Sequence, residues 1–102
     1  PAKFSFILDT YWIQHGGGDV CKWIKDLKGR LFMLHLKDMG MNEKEPFITE
    51  VLEGNMNFAG IVEAAEEIGI QYYLVEQDTC PGNPFDSMKI SFDNLHRKLF
   101  AK

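Results

Sequence analysis

The chain has 102 residues, 45% hydrophobic and 13% aromatic, with 11 Lys+Arg against 15 Asp+Glu for a formal charge of −4. This is the composition of one folded unit rather than a disordered or low-complexity chain. A mildly acidic balance with scattered Lys and Arg argues against nucleic acid or an anionic membrane as the main partner, and no run approaches the ~18 apolar residues of a membrane span.

Phe4–Leu8 is a short apolar run that stops at Asp9, the pattern of a strand covered on both faces. Trp12 and His15 follow on an expected loop. After Gly16-Gly17-Gly18, Asp19 predicts an N-cap for a helix with Val20, Trp23, Ile24 and Leu27 on its apolar face and Gly29 placed to end it. A second strand, Leu31–Leu36, carries His35 and ends in Lys37-Asp38. The polar stretch from Met39 to Met56 contains Pro46 and two glycines, and its length marks a binding loop rather than a passive link. Asn57 caps a predicted helix through Ile61, Val62, Ala65 and Ile68, closed by Gly69. The third strand is Tyr72–Val75, followed by Glu76-Gln77-Asp78. Past Pro81, Gly82 and Pro84, Asp86 or Ser87 is expected to cap a last helix with Met88, Phe92, Leu95 and Leu99 inward. Arg97, Lys98 and Lys102 stand near its dipole-negative end. Three strand–helix cycles fill the chain as one unit, which implies an α/β fold with a parallel sheet and helical cover.

Each strand delivers an ionisable residue at or near its carboxyl end: Asp9, His35 and Glu76. In parallel α/β folds these ends share one edge, so the three side chains are expected to converge. One imidazole with two carboxylates suits a divalent ion such as Mn²⁺, Mg²⁺, Co²⁺ or Zn²⁺. Taken singly, each residue has a plainer explanation. A strand-terminal carboxylate often only accepts turn hydrogen bonds, and an imidazole in an apolar strand is as often a satisfied core residue as a ligand. Equivalent places in three successive units make the shared site the better account.

Other features are weaker. The glycine run has the flexibility to cradle a phosphate but lacks nucleotide-fingerprint spacing, so a turn is expected. Trp12 and His15, just past Asp9, could stack on the apolar side of a sugar or simply cover a rim. Lys37 and Asp38 could bind hydroxyls or phosphate, or form a solvent-exposed ion pair. Gln77, Asp78 and Cys80 lead into the last loop without an assigned role. Cys21 and Cys80 lack CxxC spacing, and PAKFSFILDT has no leader-like apolar core; two structural thiols in a reduced cytoplasm are expected.

Leu8-Asp9-Thr10-Tyr11-Trp12, Gly-Gly before Asp19, Leu34-His35-Leu36-Lys37-Asp38, Glu50-Val51-Leu52-Glu53-Gly54-Asn55 and Val75-Glu76-Gln77-Asp78 resemble, in this order, the sugar phosphate isomerase/epimerase group of xylose-isomerase-like TIM barrels. The resemblance spans the chain and implies the carboxyl-terminal three βα units of such a barrel. It further implies a divalent ion held by Glu, Asp, His and Glu on successive strands, with Asp9, His35 and Glu76 matching the last three. The ion would act as a Lewis acid on a sugar or sugar phosphate, and Glu76 would be both ligand and general acid/base for proton transfer through an enediolate.

Two departures qualify the match. Only Pro1, Ala2 and Lys3 precede Phe4, so the strand bearing the first glutamate, and half of the proton relay, is expected to be missing. Trp12 stands where several epimerases of the group carry a substrate-binding His. Three parallel strands cannot close a barrel that takes ~200 residues or more. The expectation is a fragment, inactive alone, whose partner is the rest of the barrel or another copy of the chain. The alternatives are a polyol dehydratase of the same fold and a non-catalytic barrel remnant serving binding or assembly. A nucleic-acid phosphodiesterase of this fold needs a denser histidine set and a basic groove.

Overall fold

A computed structural model describes residues 4–100; Lys102, expected near the last helix end, lies outside them. Strand β1 (Phe6–Asp9) runs into a short helix α1 (Thr10–His15), which is followed by α2 (Val20–Asp26). Strand β2 (Leu31–Leu36) leads to a hairpin of β3 (Asp38–Met41) and β4 (Pro46–Thr49). Helix α3 (Phe58–Ile68), strand β5 (Tyr72–Val75) and helix α4 (Pro84–Asn94) complete the order, with a π-helical turn at Leu95–Leu99.

The three main strands form one parallel sheet in the order β1-β2-β5, as the alternation of apolar strands and amphipathic helices predicts. This architecture is α/β and corresponds to part of a TIM barrel. Leu8, Leu34 and Leu36 face the helices and join Val20, Ile24, Phe58, Ile61, Ala64 and Ala65 in the buried core. The strands are not covered on both faces as expected. Across the opposite face, Ile7, Tyr72 and Leu74 remain 51%, 57% and 49% exposed, because all the described helices lie on one side.

Caps explain most helix boundaries. Asp19 accepts from the Lys22 N–H, Asn57 accepts from the Gly60 N–H, and Gly69 closes α3 at φ +80°, a left-handed conformation that glycine adopts without a Cβ penalty. Three expectations need correction. Residues 10–15 are helix, not loop, because Asp9 accepts from the Trp12 N–H and caps them. The presumed binding loop after β2 contains the β3–β4 hairpin, whose turn is tied by Asn42 Oδ1 accepting from the Lys44 and Glu45 N–H groups. Helix α4 is capped by Asn83, with Pro84 in its first turn, rather than by Asp86 or Ser87.

The α4 face is turned as well. Ser87, Ser91 and Leu95 are buried, whereas Met88 and Phe92 are exposed. Polar contacts decide this: Ser87 Oγ donates to Glu50 Oε1 at 3.0 Å, Ser91 Oγ accepts from the Val51 N–H at 3.0 Å, and Asn94 Nδ2 donates to the Val51 carbonyl at 2.9 Å. Trp23, expected on the apolar face of α2, is half-exposed beside buried Val20 and Ile24. The glycine run forms the α1–α2 turn. Gly16, Gly17 and Gly18 donate to the carbonyls of Trp12, Gln14 and Ile13, so these N–H groups are satisfied within the chain rather than turned toward a phosphate.

Candidate metal centre

Parallel register brings the three strand ends together. Asp9 on β1 lies opposite His35 on β2, and His35 lies opposite Leu74 on β5. Glu76 comes two residues after Leu74, on the same side by strand alternation, and its N–H donates to the Leu36 carbonyl at 3.2 Å, extending the ladder. The expected convergence therefore occurs: ligand-capable atoms of Asp9, His35 and Glu76 all lie within 4.8 Å of one another. His35 Nδ1 is 3.3 Å from Glu76 Oε2 and 3.8 Å from Asp9 Oδ2, and all three side chains are partly exposed.

The other candidates sort by burial. Lys37, just past β2 and two residues after His35, has a side chain only 1% exposed. Its ion pairs are part-buried and go to residues other than Asp38. Its ammonium meets Asp78 at 2.5 Å, Glu76 at 2.7 Å and Asp9 at 2.9 Å. Burial by itself would depress the Lys37 pKa, but the hydrogen bonds to Asp78, Glu76 and Asp9 outweigh it and hold it above the ordinary lysine range. Thr10 fixes the backbone here: its hydroxyl accepts from the Lys37 N–H at 3.0 Å and donates to the Lys37 carbonyl at 2.8 Å.

Asp38 is fully buried and turned to a different task. Its carboxylate accepts from the N–H groups of Met39, Leu52, Gly54 and Met56 at 2.7–3.1 Å. It braces the segment after β4, including Leu52, which is held at φ +72°. Gly54 is required beside it, since a Cβ there would fall 2.3 Å from the Met39 carbonyl oxygen.

Trp12 and His15 lie on α1 and are exposed. The Trp12 ring packs edge-on against Tyr11 and His15, and its Nε1 donates to Asp78 Oδ2 at 3.1 Å. Asp78 thus touches both Trp12 and Lys37. Its pKa is lowered chiefly by the Lys37 hydrogen bond, against a smaller opposing effect of burial. Sequence reasoning assigned Asp78 no role, although residues 74, 76 and 78 share a side wherever the extended backbone continues past β5.

Two solved structures of a sugar phosphate isomerase/epimerase from Parabacteroides distasonis superpose on the chain. They do so with TM-scores of 0.71 and 0.76 at 31% and 28% identity, over 96% of this chain. The chain is similar to part of a sugar phosphate isomerase/epimerase. It spans about a third of the length of these isomerase/epimerase structures, 32% and 33%, and the partial barrel described above is the portion that matches. No protein-family model matches the chain, and no curated protein does so.

Proposed function

We propose that the chain carries the metal-binding and proton-transferring part of a divalent-metal-dependent sugar or sugar-phosphate isomerase or epimerase. The carrying observation is the gathering of Asp9, His35 and Glu76 within 4.8 Å at the carboxyl edge of a parallel sheet. Its context adds support, since the chain is similar to structures described as sugar phosphate isomerase/epimerases. In barrels of this kind that edge is where active sites are built.

The residues fit a divalent ion on two counts. One imidazole and two carboxylates are the donor types that Mn²⁺, Mg²⁺, Co²⁺ or Zn²⁺ accept. In addition, the three carboxylates of Asp9, Glu76 and Asp78 against the single ammonium of Lys37 leave two negative charges when His35 is neutral, matching a dication. Asp9, His35 and Glu76 would hold the ion, which when bound polarises a carbonyl and offsets negative charge developing on adjacent oxygens.

The remaining work falls to the protein. Glu76 takes a proton from the carbon next to the substrate carbonyl to leave an enediolate. In isomerisation it returns that proton to the former carbonyl carbon while the hydroxyl proton passes between the two oxygens, and in epimerisation a second acid on the opposite face reprotonates the original carbon. Its orientation is set by Lys37 at Oε1 and His35 at Oε2. Trp12, held by Asp78, presents an aromatic face to the apolar side of the sugar, with His15 behind it. The chain forms the carboxyl-terminal three βα units of the barrel. A second acid/base and the remaining wall of the site come from the rest of the barrel or from another copy.

Titration with Mn²⁺ tests the metal site. Wild-type chain is expected to bind one equivalent, and His35→Ala to lose that binding while keeping its far-ultraviolet circular dichroism. Equal binding by wild type and His35→Ala removes the reading.

A further inference from the structure

Lys37 is an odd companion for a cation site. Its ammonium is buried, and two of its three partners, Asp9 and Glu76, are the carboxylates assigned above as ligands. Nor is it there by chance of a flexible side chain, because two hydrogen bonds of the Thr10 hydroxyl fasten its backbone just past the end of β2. Two effects of this lysine on a bound dication oppose each other. By ordering Asp9 and Glu76 it favours binding, and losing a ligand-orienting partner typically weakens a metal ~10- to 100-fold. By placing a positive charge against the same oxygens it disfavours binding. At an effective dielectric of about 20, a unit charge a few ångströms from a dication shifts affinity more than ~1,000-fold before screening. Repulsion is the larger effect.

We propose that Lys37 is a resident counter-cation. It holds Asp9, Glu76 and Asp78 together while the cluster is metal-free, and it keeps divalent affinity low, so that the ion is exchangeable rather than structural. Asp78, which is not a ligand, anchors the ammonium and draws it toward the Trp12 side. The inference rests on the metal-site reading above. It differs from that reading in predicting what happens when a residue outside the ligand set is changed.

The test is calorimetric Mn²⁺ titration of the full chain, with melting temperatures recorded with and without Mn²⁺. Lys37→Met is expected to melt lower than wild type without metal, to bind Mn²⁺ at least ~10-fold tighter, and to regain stability when loaded. Lys37→Arg, which keeps the charge, stays within ~3-fold of wild type. If Lys37→Met does not fold alone, refolding in excess Mn²⁺ recovers it, and failure to refold there overturns the inference. Asp78→Asn, at a more exposed site, weakens Mn²⁺ binding ~3- to 10-fold, and unchanged binding counts against the charge account. Wild-type binding with equal or weaker binding by Lys37→Met overturns the role of Lys37 alone. Absence of binding by wild type and both Lys37 variants overturns the metal site itself.

Discussion

Glu76 has two oxygens with different neighbours, Lys37 on one and His35 on the other. A substitution that keeps its shape therefore separates proton transfer from metal binding. In the assembled barrel, Glu76→Gln is expected to abolish turnover while lowering metal affinity less than Glu76→Ala; steady-state kinetics and Mn²⁺ titration of both variants check this. Unchanged isomerisation by the glutamine variant would remove Glu76 from proton transfer. Asp38, next to Lys37 in sequence but not in role, carries a stability prediction instead. Removing its carboxylate strands the four backbone N–H groups that it accepts, so Asp38→Ala is expected to cost about 3 kcal/mol in urea unfolding.

Among the elements, the joint between the segment after β4 and helix α4 is polar, not apolar. Glu50 accepts from Thr49 and Ser87 there. Burial alone would raise its pKa, but these hydrogen bonds hold it below the ordinary glutamate value. For an acid with a depressed folded pKa, the stabilisation is present above the unfolded value of about 4.3 and is lost as pH falls through the folded one. Glu50→Gln should accordingly flatten the dependence of melting temperature on pH below about pH 4.3, with circular dichroism melts across that range as the measure. The same joint explains why α4 buries its serines rather than Met88 and Phe92. Hydrophobic periodicity points Met88 and Phe92 inward, but the serines have hydrogen-bond partners on the opposing segment, which no local pattern reveals.

For the whole molecule, the decisive feature is a sheet whose helices, among the described residues, lie on one face. Ile7, Tyr72 and Leu74 lie open on the other face, and an apolar cleft of about 260 Å³ runs beside β1 between Phe6, Ile7, Leu8, Trp12, Ile13, Trp23 and Leu27. It touches only Asp9 of the metal cluster and suits a neighbouring strand–helix unit better than a polar substrate. Size-exclusion chromatography with light scattering should find the isolated chain self-associated, above its 11.7 kDa; a well-packed monomer would contradict a partial barrel that needs completion.

The order of the three parallel strands and of α2, α3 and α4, the caps at Asp19 and Asn57 and the pairing of strand ends were legible in the amino-acid order, whereas α1 and the β3–β4 hairpin were not, because only the former rest on local periodicity, capping chemistry or the shared direction of parallel strands. So was the nomination of Asp9, His35 and Glu76. Tertiary structure alone decided that Lys37 is buried among carboxylates from β1 and the segment after β5, that Asp38 faces away from the cluster into four backbone N–H groups, and that Asp78 joins Lys37 to Trp12. All but the Asp38–Met39 bond are contacts between residues distant in sequence. Their partners are chosen by how strands and helices pack, and a charged residue's neighbours in the chain say little about which opposite charge it will meet in space.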